Sequence, residues 1–387
     1  ILYQLSTLFC TSKPNQIAFT ILCFGLMYPS QVTSISFICP LLLQLVSYFC
    51  TEHKWIVQKV VLIGLMFIYF KKVNLISLLF FNILRKLYGL IFIFGFIVQD
   101  LINLKLPGLT IHYAPRILFM ILFIVFYIQC LKHFKWKYLL ILFVPLLEIY
   151  CNPFFQVYTL NLGQADCSVI VEPFHKSVVM IDCGQNLYRD NVERIIMPFL
   201  ENKNIHTIDT LILTHDDFDH NGGYDSLKDK IEIKQVIEDS NQIVNVDYPF
   251  YLLLSEREAK DTNDSSIISY FTYDHLTYLF MGDASKQIER QLMSEYDLKA
   301  DVIKVGHHGS NTSSDPDFLD SLDCKIALIS CGYKNKYGHP SVETLKTLEN
   351  LHINTLCTSD CGSIAIYSLH HLSFLVTNDG MFGIIWA

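Results

Sequence analysis

Charged residues are scarce in this 387-residue chain: Asp, Glu, Lys and Arg make up 17% of it, against about a quarter in an ordinary soluble domain, and 51% is hydrophobic. That excludes a protein whose whole length faces water. Acid is rarest in the first 151 residues, which hold 3 Asp and Glu beside 12 Lys and Arg, a net of +9. Residues 152–387 hold 34 acids and 17 bases, a net of −17. The halves are suited to two different solvents, and the second is long enough for one globular domain with its own core. There is no internal repeat and no low-complexity tract, so repeat architectures and biased linkers are excluded. No charged, apolar and small-residue leader precedes the first apolar run, and the chain starts at Ile1; it reads as the later part of something longer. No second cysteine pair accompanies the C-x3-C spacing of Cys357 and Cys361, which makes structural zinc a weak reading beside stray or bridged thiols. Cys10, Cys23, Cys39, Cys50, Cys130 and Cys151 lie in or beside apolar segments and read as small apolar residues.

What the first half has in abundance is long hydrophobic runs. Residues 17–28, 32–50, 56–70, 73–98, 117–130 and 138–150 are candidates for membrane-embedded segments, a bilayer core requiring roughly 20 apolar residues per helix. Arg85 and Lys86 interrupt the 73–98 run, at about 2.5–3.5 kcal/mol each at mid-bilayer. Two shorter embedded segments, or a break facing a protein-lined cavity, fit better than one span. The pair reads as a short loop or interfacial anchor, or as cations lining a conduit for a polyanion. Lysines and arginines in the loops (Lys54 and Lys59, Lys71 and Lys72, Lys105 with Arg116, Lys132, Lys135 and Lys137) do not alternate cleanly, so no orientation follows.

After Pro153 the texture changes. Short strand-like runs at 155–160, 168–171, 177–181 and 210–213 end in Gly, Asp or Asn, and helical stretches at 190–201, 284–296, 315–322 and 341–351 come between or after them. The last three begin near Asp or Ser suited to capping. This order predicts central sheets with helices outside.

The chemistry is concentrated in Asp209–Gly223, DTLILTHDDFDHNGG. Residues two apart on an extended segment share a face, so His215 and Asp217 are expected to converge on one cation. Asp219 and His220 begin the next turn and reach toward a second, at the spacing of about 3.5–4 Å that suits two-metal hydrolysis. Asp216 should point away, and Gly222 and Gly223 let the backbone turn back under the site. Three more islands follow apolar runs: YLFMGD ending at Asp283, DVIKVGHHGS with His307, His308 and Ser310, and GYKNKYGHPS with Asn335 and His339. Donor side chains at the ends of different strands describe a site built on one edge of a sheet. His175, His206, His275, His352, His370 and His371 read as ordinary surface histidines.

The ordered motifs H-x-D-x-D-H-x-G-G, G-D, H-H-G-S and N-x-x-G-H-P resemble the metallo-β-lactamase superfamily, and more narrowly the C-terminal domain of ComEC-type competence proteins, the membrane channels of bacterial DNA uptake. Leu160–Cys167 reads LNLGQADC where that family commonly has LDVGQGDA, and Met180–Gly184 reads MIDCG where it has a D-x-G turn. The resemblance covers about residues 155–366. It implies a multispan α-helical membrane region, residues 1–151, as the end of the competence domain, followed at 152–387 by an αββα hydrolase domain. It also implies two divalent cations, Zn2+ or Mn2+, single-stranded DNA, membrane lipid and other competence proteins as partners, an oligomer as one assembly option, and a multi-pass location in the cell membrane. Asp217 stands where the superfamily more often has His, and between Gly223 and Asp283 the sole histidine is His275. Asn161 replaces an Asp. Fewer imidazoles make a harder site, in which Mn2+ or Mg2+ competes better with Zn2+.

The expected ligands are His215, Asp217, Asp219, His220, Asp283 and His307, with Asp283 bridging and either His307 or His308 completing the set. Asp219, His308, Asn335 and His339 are expected to act on the substrate, helped by Ser310. A net of −17 argues against tight DNA binding by the second half alone, since nonspecific affinity for nucleic acid comes mainly from cations. Three functions fit: DNA translocation coupled to a metal-dependent nuclease, a membrane-anchored phosphodiesterase for a small diester, or a channel whose metal domain is nonenzymatic.

Overall fold

The computed structural model describes residues 9–27, 32–50, 53–74, 110–112, 117–254 and 262–385. The chain divides into two compact units, Ile1–Ile149 and Tyr150–Ala387.

In the first unit the apolar runs form helices at Lys13–Met27, Ile35–Phe49, Lys54–Phe70 and Ile117–Lys132, then a 3-10 helix at Trp136–Phe143 running into a helix at Val144–Tyr150. A short ladder pairs β1 (Lys72–Asn74) antiparallel with β2 (Thr110–His112). Most of the 73–98 run, with Arg85 and Lys86, lies outside the described residues, as do Lys105 and Arg116. Along Ile117–Lys132, Phe119, Phe123, Phe126 and Cys130 are buried, packing in a cluster with Val46, Val57, Val61 and Leu65, while Ile121, Ile124, Val125 and Ile128 are exposed. The helix is therefore apolar all round, which a water-facing helix is not. Among the described residues, no helix is long and apolar enough to cross a membrane. The longest has 17 residues, about 25 Å at 1.5 Å per residue, against about 30 Å of hydrocarbon.

The second unit contains β3 (Phe155–Thr159), β4 (Ser168–Val171), β5 (Val178–Ile181), β6 (Thr207–Ile212), β7 (Glu232–Ile237), β8 (Phe250–Leu253), β9 (Ile268–Tyr273), β10 (Leu276–Phe280), β11 (Val302–Lys304), β12 (Ile326–Ile329), β13 (Asn354–Cys357), β14 (Ile364–Leu369), β15 (Leu372–Thr377) and β16 (Phe382–Ile385). They form an eight-stranded sheet, β16-β15-β14-β3-β4-β5-β6-β7, and a six-stranded sheet, β13-β12-β11-β10-β9-β8. In the first sheet β5, β6 and β7 run parallel, and in the second β10 to β13 do.

Strand alternation explains the layering. Val157, Ile170, Val179 and Tyr278, Val302, Leu328 belong to one core cluster, whereas their neighbours Tyr158, Val169 and Met180 pack with Val192, Ile196 and Leu200. Leu279, Ile303 and Ala327 pack with Ile288, Leu292 and Phe318 from helices. Successive side chains on a strand face opposite ways, so each sheet buries one face against the other sheet and one against helices. The result is the layered α/β sandwich of the metallo-β-lactamase-like fold.

The helices form at Lys286–Glu295, Pro316–Ser321 and Val342–Asn350, and the 190–201 stretch becomes one π turn, Val192–Ile196, followed by Met197–Asn202. Asp315 and Ser341 cap their helices through side-chain bonds to backbone N–H groups; Ser285, at the third N-terminus, makes no such bond.

Two glycines matter through space. Gly222 and Gly223 have ordinary helical φ values of −58° and −90°, so they do not serve as left-handed turns. A Cβ on Gly223 would meet the Cys183 carbonyl oxygen at 2.2 Å, and one on Gly184 would meet the Asp219 carbonyl oxygen at 1.8 Å. The backbones of 183–185 and 218–220 are laced together there, Cys183 N–H donating to His220 O and Gln185 N–H to Phe218 O. Gly184→Ala should therefore lower stability by about 1–3 kcal/mol through overpacking. Gly383→Ala, with nothing within 4 Å of the new Cβ, should stay within about 0.5 kcal/mol. Urea denaturation of both variants checks the difference.

Candidate metal centre

The parallel strands deliver their chemistry at their C-terminal ends. The chain leaves β5 into Asp182, β6 into His215–His220, β10 into Asp283, β11 into His307 and His308, and β12 into Ser330. Five side chains from three separated stretches meet: His215, Asp219, His220, Asp283 and His308. Donor atoms of His215, His220 and Asp283 lie within 4.8 Å of one another, as do those of Asp219, His220 and His308. His220 Nε2 is 3.0 Å from Asp283 Oδ1, and His308 Nε2 is 3.4 Å from Asp219 Oδ2 and 3.7 Å from Asp283 Oδ2.

Buried polar atoms are normally hydrogen-bonded. Here His215 Nε2, His220 Nε2, His308 Nε2 and Asp283 Oδ1 are buried without a hydrogen-bond partner. Imidazole nitrogens and carboxylate oxygens left bare on one another are a donor set that fits divalent cations such as Zn2+ or Mn2+.

The far side of each ring is fixed. His220 Nδ1 lies 2.8 Å from Asp182 Oδ2, and His308 Nδ1 donates to the Ser330 carbonyl at 3.1 Å. Thr214 Oγ1 donates to Asp182, leaving its lone pair toward His215 Nδ1 at 3.1 Å, with Ser266 Oγ 3.3 Å from the same nitrogen. Protons on the Nδ1 atoms leave the Nε2 lone pairs for a cation, the arrangement by which outer partners orient ligating histidines. Behind His308, Lys304 Nζ lies 2.6 Å from Asp166 Oδ2, both groups being buried.

Burial works against charge on His220, but Asp283 and Asp182 outweigh it and hold the imidazolium well above the ordinary histidine range. Burial likewise opposes charge on His308, and Asp283 and Asp219 raise its pKa. Against the same desolvation, His220 and His308 hold Asp283 well below the usual carboxylate range, while hydrogen bonding to His308 and the charge on His220 lower Asp219. Without a cation, ring protons supply the positive charge that the carboxylates require; a cation takes their place and releases them.

Other expected residues are placed differently. Asp217 Oδ2 lies 3.7 Å from His215 Nε2 but belongs to no three-donor group among the described residues, and its side chain is 40% exposed. The reason is local: Asp217 is the extended residue before the Phe218–Asn221 helical turn, which folds His220 back so that its ring centroid lies 4.2 Å from that of His215. His307 is at the rim, Nε2 3.8 Å from Asp283 Oδ2 and Nδ1 3.1 Å from Thr312 Oγ1. Both residues of the pair have positive φ, 48° and 55°, and His308 is the one that is buried. Asn335 holds its own loop together, donating to Gly332 O and His339 O and accepting from Tyr337 N–H and His339 N–H. The His339 ring is 5.8 Å from that of His307. Ser310 Oγ accepts from Thr312. Asp216 is exposed and bonds Asn221, pointing away from the cluster as expected.

His275 and His371 meet Asp274 in a separate, partly exposed group, where His275 uses Nδ1 on Asp274 and Nε2 on Ser373. Among the described residues, His175, His206, His352 and His370 belong to no such group. Cys357 and Cys361 are unbridged, the Cys361 thiol donating to the Cys357 carbonyl. Asp166, Asp182, Thr214 and Lys304 were not assigned roles from sequence; the signal was present in LNLGQADC and MIDCG, whose aspartates these motifs carry.

Fold and site together define a metallo-β-lactamase-like domain. Residues 160–249 match the model of the metallo-beta-lactamase superfamily. The chain is 30% identical over 251 residues to ComE operon protein 3 of Bacillus subtilis, covering 54% of this chain and 32% of that protein. It is 31% identical over 185 residues to competence protein ComA of Neisseria gonorrhoeae, covering 44% and 26%, and 26% identical over 232 residues to recombination protein 2 of Haemophilus influenzae, covering 56% and 29%. These relatives bear out the resemblance to ComEC-type competence proteins; the chain spans at most about a third of their length.

The raised pKa values of His220 and His308 contribute stability that is complete below the ordinary histidine value of about 6.5 and is lost as pH rises through the raised values. With chelator, the melting temperature of the second unit's transition should therefore fall as pH rises above that value. With Mn2+ or Zn2+ the trend should reverse, because neutral imidazoles bind the cation. Differential scanning fluorimetry from pH 6 to 9 reads both; curves indifferent to metal at every pH would contradict the assignment.

Proposed function

We propose that this chain belongs to a bacterial DNA-uptake protein in which the first unit is embedded, multi-pass, in the cell membrane and carries single-stranded DNA, while the second is a metal-dependent phosphodiesterase that cuts DNA. The observation that carries the enzymatic part is the set of buried, unpartnered ring nitrogens of His215, His220 and His308 facing Asp219 and Asp283. The names of the competence relatives support the biological setting. The all-round apolar helices, with Ile121, Ile124, Val125 and Ile128 exposed, support the membrane setting.

His215, His220, His308, Asp219 and Asp283 would hold two divalent cations, with Asp217 and His307 adjacent. Cations there supply Lewis-acid stabilisation of phosphoryl charge and a water acidified to a pKa of about 7. Asp182 and the Ser330 carbonyl keep the His220 and His308 rings turned inward. Asp219 is 36% exposed at its side chain, so its carboxylate is open to take the proton of the attacking water. His307 and His339 at the rim face the nonbridging oxygens of a phosphodiester, where His339 Nδ1 is buried without a partner. Asn335 acts on that loop and not on the substrate. The net of −17 favours a second reading, hydrolysis of a small diester.

With Mn2+, the purified chain should cut a single-stranded oligonucleotide, and chelation should stop it. Asp219→Ala and His308→Ala should each reduce kcat by about 10^2–10^4-fold. Turnover of a small diester, with no cutting of DNA under Mn2+, Mg2+ or Zn2+, would replace the nuclease reading with the second one. For the membrane assignment, the expressed chain should stay in the membrane pellet after alkaline carbonate extraction; release into the supernatant would count against it.

A further inference from the structure

We infer that the loop from Gly332 to His339 is a grip for single-stranded nucleic acid that feeds the metal centre, with Tyr337 and Tyr333 as stacking platforms and Lys334 and Lys336 as phosphate contacts. This rests on the nuclease reading and specifies the substrate the site selects.

The loop interleaves aromatic and basic residues, Tyr333, Lys334, Lys336 and Tyr337. Both tyrosines are exposed, at 73% and 58%, although a loop tyrosine without a partner surface gains nothing from exposing that much apolar ring. Lys334 Nζ lies 5.2 Å from the Tyr333 ring centroid and Lys336 Nζ 4.9 Å from that of Tyr337. Elsewhere in this unit Lys176, Lys234, Lys286, Arg290, Lys304 and Lys325 are each paired with a carboxylate. Lys334 and Lys336 are among the described bases of this unit with no carboxylate within ion-pair distance, as are Arg189, Arg194, Lys203, Lys299 and Lys346, and these two lie on the loop beside the metal centre, available to a polyanion.

The loop is held in shape. Four hydrogen bonds of Asn335 to Gly332, Tyr337 and His339 fix the turn that presents these side chains. It also leads into the site: the Tyr337 ring stacks on His339 at 5.9 Å with planes 5° apart, His339 is 5.8 Å from His307, and His307 Nε2 is 3.8 Å from Asp283 Oδ2. A base stacked on Tyr337 places its neighbouring phosphate at the rim of the donor cluster. Aromatic faces alternating with cations recognise unpaired bases and their backbone without reading sequence. A duplex, whose bases are already stacked on one another, cannot use the rings.

The test compares Mn2+-dependent cleavage of a 20-nucleotide single strand, the matching duplex and bis(p-nitrophenyl) phosphate by the full chain and its variants. Tyr337→Ala should lower the preference for the strand over the small diester, as a ratio of kcat/KM values, about tenfold, mainly through the KM of the strand, the scale of one lost base stack. Tyr337→Phe should restore it. The double variant Lys334→Ala/Lys336→Ala should raise the strand's KM and flatten the slope of log KM against log salt by about 1.4, two contacts at roughly 0.7 each. Lys346→Ala, on the following helix, serves as the control for a nearby lost charge. If the wild type cuts the strand and all these ratios stay as they were, or if Tyr337→Ala weakens strand and duplex alike, the grip is wrong and the nuclease reading stands. If the wild type turns over only the small diester, both fall together.

Discussion

Carboxylates crowded onto one buried edge need positive charge, and that need organises the second unit. Buried Asp182 and Asp283 and half-buried Asp219 surround three buried imidazoles, with buried Asp166 beside them. Only two sources of compensation are at hand: protons on the rings, or cations between the donors. Asp166 is the exception that clarifies the rule, since it has its own buried cation in Lys304 at 2.6 Å. A buried pair of that kind contributes little net stability by itself, but removing one partner strands the other charge. Lys304 thus occupies one oxygen of Asp166, while Oδ1 stays buried without a partner, 3.6 Å from His308 Nδ1, and Asp166 groups with Asp283 and His308 as a further donor.

The same constraint explains the topology. Donors must arrive from several stretches without their own backbone filling the space, and parallel strands do this by ending together. β5 and β6 in one sheet and β10, β11 and β12 in the other each end in a short loop at one edge. The close approach of Gly184 and Gly223 to the 218–220 turn and to Cys183 lets the loops after β5 and β6 interlock. Packing between the sheets, through residues such as Val157, Tyr278 and Leu328, then fixes the distance between the two groups of strand ends.

Most of this edge was legible in the sequence, because strands that end in Asp or His after an apolar run announce both the strand and its cargo. His215, Asp219, His220 and Asp283 were found that way. What was not legible depended on where extension gives way to helix. Period-two reasoning pairs His215 with Asp217, and the two do lie 3.7 Å apart, but the chain starts to coil at Phe218, which also returns the ring of His220 to His215. Two adjacent histidines cannot be ranked by spacing alone; the left-handed turn at His307 and His308 sends the second inward. Asn335 looked like a substrate contact because its type suits one, and no sequence pattern showed that its amide was already committed to four loop bonds. The MIDCG motif marks Asp182 but not the ring it orients, and Lys304 carries no sequence signal, since its role exists only through Asp166 far away in the chain.

An acidic domain proposed to act on a polyanion raises an apparent conflict, and distance offers its resolution. Screening at physiological ionic strength confines charge effects to about 8 Å, so a net of −17 spread over the unit counts for less at the site than the charges that border it. Within the site itself, cations would turn an acid-rich cluster into an electropositive one, and the flanking loop adds Lys334 and Lys336. The sign that an incoming phosphate meets is therefore set by the occupancy of the centre. On the proposed nuclease reading, such a domain would hold nucleic acid weakly until metal is bound and would gain both affinity and reactivity in one step.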